Sequence, residues 1–174
     1  MSKDKIFVAL DKNGNKVVVI NEIIFHGKRK QPWKEIEKYL KKYIGQIIEV
    51  SESNELIEIG KDFPDEFTHS RDTYSLRGGY ARAKANIINS INELIMISRK
   101  TKENDNFKDK HRNEVKKWYR YLSRFAFPVE NENNIISHYN IFICTLIVKK
   151  DISNRMFLYD IVKIKKENII EFFI

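Results

Sequence analysis

The sequence predicts an α+β domain: a β-hairpin, then helices, packed on a closing antiparallel sheet. Three patterns carry this. An Asn-Gly pair separates two apolar runs near the start. Apolar residues recur at helical spacing in the middle. Three strand-like runs joined by short polar turns fill the last third. Helices first and a meander later is the order of an α+β fold. With 174 residues, 42% apolar and 32% charged, the chain can bury one core and reads as a single domain over 1–174. Six Gly and three Pro leave no composition for a long flexible linker.

Residues 1–25 form the predicted N-terminal hairpin. Ile6 to Leu10 and Lys16 to Ile20 flank Asn13-Gly14, a pair that tolerates the positive φ of tight turns. Ile23-Ile24-Phe25 extends the second run. Pro32 suits a first helical turn, where its missing N–H is no loss. Trp33, Ile36, Leu40, Tyr43, Ile44 and Ile47 then follow a helical period, and Gly45 marks its end. Two short strands are expected at 47–50 and 56–59, and a loop or single helical turn at 63–67. The longest helix is expected over 75–99, with Leu76, Tyr80, Ala83, Ile87, Ile91, Leu94 and Ile95 on one face. Gly78-Gly79 near its start costs helix stability, about 1 kcal/mol each against alanine, and reads as a place of close packing. Residues 99–113 are the most polar stretch and are expected to be a basic loop. Residues 118–127, 138–149 and 157–164 are the meander, turning at 131–134 and 151–154. Trp118, Arg120, Leu122 and Arg124 share one face of its first strand.

The net charge of +8 is localised. Residues 99–124 hold ten Lys/Arg against four Asp/Glu, a net of +6, and 28–42 hold seven bases against two acids. Such patches attract phosphate backbones by counterion release. One cysteine, Cys144, excludes an internal disulfide framework, and its apolar surroundings make it a buried side chain. The apolar run at 6–10 is too short for a signal peptide, and no stretch reaches the roughly 20 residues of a membrane helix. The expected location is cytoplasmic, without membrane contact.

No phosphate loop, dinucleotide fingerprint, zinc spacing or nucleophile elbow occurs, and the histidines (26, 69, 111, 138) form no helical metal pair. The residues predict neither metal nor cofactor. What remains fits metal-independent RNA cleavage. That reaction needs a base for the ribose 2′-OH, an acid for the leaving 5′-oxygen and cations for the phosphorane. Candidates for proton transfer are His111, His138 and Tyr159, with Asp160 to orient one of them. Candidates for the phosphate cradle are Arg120, Arg124 and Lys84, supported by Arg77, Arg82, Lys116 and Lys117. Each has an ordinary alternative: a structural histidine, cross-strand ion pairs, or a lysine lying along its helix between Ala83 and Ala85.

Several stretches carry a resemblance: Trp33-Lys34-Glu35-Ile36-Glu37-Lys38-Tyr39-Leu40, Asp62-Phe63-Pro64-Asp65-Glu66-Phe67, Leu76-Arg77-Gly78-Gly79 and Ala83-Lys84-Ala85-Asn86. Trp118-Tyr119-Arg120-Tyr121, Arg124-Phe125-Ala126-Phe127-Pro128-Val129, and Phe157-Leu158-Tyr159-Asp160-Ile161 followed by Ile164-Lys165-Lys166-Glu167 complete the set. Over roughly residues 25–167, one domain's worth of chain, these resemble a group of phage and mobile-element proteins of Gram-positive bacteria. The closing sheet also looks like phage-associated nucleases of the barnase/EndoU/RelE-like type. The sequence departs from the group at two turns, with Glu130 to Asn134 and Ile152-Ser153-Asn154-Arg155. The resemblance implies a metal-independent endoribonuclease acting in the cytoplasm of a bacterial host. The alternative from the same setting is a non-catalytic, anti-CRISPR-like inhibitor that lays its basic patches on a host ribonucleoprotein defence complex.

Overall fold

The computed structural model describes residues 5–27, 30–105 and 114–171, with side chains to Glu167. The α+β prediction holds. The hairpin is β1 (Ile6–Leu10) and β2 (Lys16–Ile20). Helix α1 (Trp33–Leu40) runs into a 3-10 turn, Lys41–Tyr43. β3 (Ile47–Glu49) and β4 (Leu56–Ile59) precede four short helices: α2 (Phe63–His69), α3 (Arg71–Ser75), α4 (Gly78–Ala85) and α5 (Ile91–Ile97). β5 (Arg99–Asp105) and three 16-residue strands, β6 (Val115–Glu130), β7 (Ile136–Asp151) and β8 (Met156–Glu171), complete the chain.

β6, β7 and β8 form the expected antiparallel meander. It is widened on both sides by parallel pairing, β2 on β6 at Phe125–Ala126 and β4 on β8 at Met156–Leu158. The sheet order is β1-β2-β6-β7-β8-β4-β3, with β5 on the remaining length of the β6 edge.

Three of the hairpin turns, β1–β2, β6–β7 and β7–β8, repeat one chemistry. Asp11, Asn131 and Asp151 each turn a side-chain oxygen back to accept two backbone N–H groups at 2.8–3.1 Å, from residues two and four further on. Gly14, Asn134 and Asn154 take the positive φ that follows. Asn reaches this region because its short amide is tolerated there.

Alternation places the core. On β6, Tyr119, Tyr121, Ser123, Phe125 and Phe127 are buried, while Trp118, Arg120, Leu122 and Arg124 are half-buried on the other face. The helices pack on the buried face: Ser123 Oγ donates to the Leu94 carbonyl of α5 at 2.8 Å. Trp33, Ile36 and Leu40 of α1 join Phe63 and Phe67 of α2 in the same core, as does Cys144 of β7.

Four expectations are corrected. The helix expected over 75–99 is two helices, α4 and α5, with α3 ending at Ser75. Gly78 has φ +53 and nothing within 4 Å of an added Cβ, so glycine is there for backbone conformation and not for close packing. Beyond α4 the Asn86 side chain binds the N–H groups of Ile24 and Phe25 and the Phe25 carbonyl, at 2.8–3.0 Å. This holds 23–25 as an irregular segment, not as an extension of β2. The first half of the expected 99–113 loop is β5, fully exposed but paired with β6 from Arg99↔Leu122 to Asp105↔Lys117. Ladder hydrogen bonds to a long neighbour override its polar composition.

Candidate nucleic-acid groove

A concavity of about 410 Å³ lies between α4 and the ends of the long strands. That is within the size range of ligand sites. Tyr80, Phe127 and Phe142 supply its aromatic wall, Arg82 and Lys166 its cations. The rings are mutually braced: Tyr80 meets Phe142 edge-on at 6.4 Å, and Phe127 meets it at 6.0 Å. Arg82 donates to the Gly27 carbonyl at 3.0 Å, and its Nη2 would lie 3.9 Å from a Cβ added at Gly79. The guanidinium therefore sits over the first turn of α4, whose N–H groups have no side-chain cap. A guanidinium and helix N–H groups at one place favour an anion.

His138 lies beside two residues that line this groove. It pairs directly with Val129 and precedes Asn140 by two residues on the same strand; both neighbours line the groove. Opposed residues and residues two apart share a face. A β-bulge between Val129 and Glu130 places Ser137 beside it. Ser137 Oγ donates its one hydrogen to the Val129 carbonyl at 3.1 Å, so it accepts from His138 Nδ1 at 2.9 Å. That assigns the proton of the neutral ring to Nδ1 and leaves the Nε2 lone pair available.

The remaining sequence candidates do not converge on His138. Arg120 and Arg124 lie on the opposite face of β6, and Arg124 pairs with Glu167 at 3.1 Å. Tyr159 packs edge-on against Trp118 at 5.1 Å, eleven residues along β6 from Val129, or roughly 35 Å at the usual strand rise. Burial and the hydrogen bond to Glu66 push its hydroxyl pKa up, away from acid–base work near neutrality. Lys116 bonds Asn154, Lys117 pairs with Glu103, and Arg77 caps the Tyr74 and Leu76 carbonyls, all at the surface. His111 lies outside the described residues.

Lys84 is a correction. It is 0% exposed and cannot cradle an incoming phosphate. Its Nζ donates to Thr73 Oγ1 at 2.7 Å and pairs with Asp160 at 3.3 Å and Asp72 at 3.6 Å. Asp160 is buried too. Burial pushes its carboxyl up to about 6, against the opposing pull of Lys84 and the Ile161 N–H. Asp160 thus braces Lys84, not a catalytic imidazole. Burial pushes the nearby Cys144 thiol up to about 12, far from a nucleophilic thiolate.

One group of described side chains has the spacing of a metal site: Glu37 on α1 with Asp65 and His69 on α2. The sequence offers Asp65-x-x-x-His69 as its signal, which a search for paired histidines alone passes over. No helix among the described residues is long and apolar enough to cross a membrane. Neither a protein-family model, nor a curated protein, nor a solved structure matches this chain.

Proposed function

We propose that this chain acts on RNA, seating a single-stranded segment in the α4 groove and cleaving it without a metal ion. The observation that carries the reading is the lining of the groove: aromatic rings for a base, and cations and helix N–H groups for phosphate. His138 is paired with Val129 of that lining. Bases stack on aromatic side chains irrespective of sequence, and single strands are what such a groove admits. Arg82 and Lys166 hold the phosphate and neutralise the phosphorane. His138 Nε2 takes the 2′-OH proton. The 2′-oxygen bonds to phosphorus, the P–O5′ bond breaks, and the leaving oxygen collects a proton from water. The products are a 2′,3′-cyclic phosphate and a 5′-hydroxyl. The +6 net charge of residues 99–124 supports the reading by drawing RNA to the protein.

The test is incubation of purified protein with a labelled single-stranded oligoribonucleotide in EDTA, beside His138→Ala. Cleavage by the parent and a loss of at least about 100-fold in the variant, with binding unchanged, is expected. Binding without cleavage by the parent overturns the catalytic part and leaves a non-catalytic RNA or ribonucleoprotein binder. Absence of RNA binding overturns the whole reading.

A further inference from the structure

We infer that Glu37, Asp65 and His69 form a site for a divalent transition-metal ion, zinc in the first instance, that clips α1 to α2. The three residues come from two helices that pack on each other, and they converge on one atom. His69 Nδ1 lies 3.4 Å from Asp65 Oδ1 and 3.6 Å from Glu37 Oε1. All three ligand atoms lie within 4.8 Å of one another.

The two separations from His69 Nδ1 bear on the kind of occupant. A charge-assisted hydrogen bond between imidazolium and carboxylate closes to about 2.7–2.9 Å. Two ligands bound to one zinc ion at about 2.0–2.2 Å, at the tetrahedral angle, are about 3.4 Å apart. The carboxylates stand off at the second spacing. The Nδ1 hydrogen bond goes to a hydroxyl instead: Thr68 Oγ1 donates to the Pro64 carbonyl at 2.7 Å and accepts from His69 Nδ1 at 2.8 Å. Metal binding moves the Nδ1 proton to Nε2, a tautomer change within a neutral ring, and turns the Nδ1 lone pair to the ion. One imidazole and two carboxylates suit zinc, cobalt and nickel better than calcium or magnesium, which take oxygen alone.

The ring is also oriented for the task. Tyr74 meets the imidazole edge-on at 6.2 Å, a contact from outside the ligand set. Asp65 and His69 are one helical turn apart, a spacing that keeps both on one face of α2, and Glu37 reaches them from α1. Three protein ligands leave positions for water, and the side-chain exposure of Asp65, 70%, leaves an entry path. The ion's role is to hold two helices together. It takes no part in the RNA chemistry, which uses other residues on another part of the fold.

Cobalt(II) titration of the metal-stripped protein reads the site directly through its visible ligand-field bands. Parent protein should show one equivalent of bands typical of low coordination number, displaced by zinc. His69→Ala and Glu37→Gln should each lose them. Melting with zinc at roughly 100-fold over its Kd should raise the parent Tm by about 5–10 °C and leave both variants unmoved. Glu37→Gln serves because its neutral isostere keeps the fold if His69→Ala weakens it. Bands and Tm shift that persist in both variants would place the ion elsewhere and overturn the inference. So would absence of both in the parent, or a Tm shift with magnesium equal to that with zinc.

Discussion

Arg82 and Lys84 stand two residues apart on the same eight-residue helix and have opposite fates. Arg82 lies on the rim of a groove, held by one carbonyl. Lys84 is sealed in the core against two aspartates and a threonine, its ammonium 4.8 Å from the Phe67 ring centroid. A two-residue step turns a helix by about 200°, so one residue faces the groove and the other faces the sheet. Charge on a helix therefore says little about function until the helix is docked. The buried cluster is where the fold is vulnerable, and the groove is where chemistry is accessible.

The sharpest break of that contrast is Lys84→Ala. Removing one partner of a buried pair leaves Asp160 uncompensated and should cost about 3–5 kcal/mol in urea unfolding. A cost under about 1 kcal/mol would mean that Lys84 is hydrated and the two sites are not distinct in kind.

Next comes pH. Asp160 ionises near 6 in the folded protein against an ordinary value of 3.8. The folded state holds this proton more tightly than the unfolded state. Its contribution is full below pH ~4 and lost as pH rises through ~6, by up to about 3 kcal/mol. The stability of the parent minus that of Asp160→Asn should fall by that order between pH 4 and 7. A difference that rises instead would show Lys84 holding Asp160 ionised throughout.

The smallest stability effect belongs to the groove. Arg82→Ala should change unfolding free energy by under about 0.5 kcal/mol, as surface substitutions do. A larger loss would make Arg82 a structural anchor for 23–27 through Gly27.

The same contrast explains what the sequence disclosed. Turn chemistry was legible because Asp11, Asn131 and Asp151 each act within five residues. The meander was legible because alternation is local. The breaks in the helix expected over 75–99 were hidden, since Leu76, Tyr80, Ala83, Ile87 and Ile91 keep a continuous period whether or not the backbone kinks at Gly78. Strand β5 was hidden because Arg99 to Asp105 has no apolar residue, and pairing alone makes it a strand. The burial of Lys84 had a faint signal in Ala83 and Ala85, whose small side chains let α4 approach the sheet. The separation of His138 from Arg120 and Arg124 depends on strand register, which no single strand's sequence contains. Lys166 was overlooked as a groove residue for the same reason: only its pairing with Phe142 brings it there.

The proposed function requires that RNA bind the groove and not merely the basic surface. Two double variants remove the same charge from different places, Arg82→Ala/Lys166→Ala from the groove and Lys116→Ala/Lys117→Ala from the surface. Affinities for a single-stranded oligoribonucleotide should be measured at one fixed salt concentration. The groove pair should lose about 10-fold or more and the surface pair less than about 3-fold, since long-range attraction is common to both and close phosphate contact is not. Equal losses would contradict the account and reduce the interaction to charge alone.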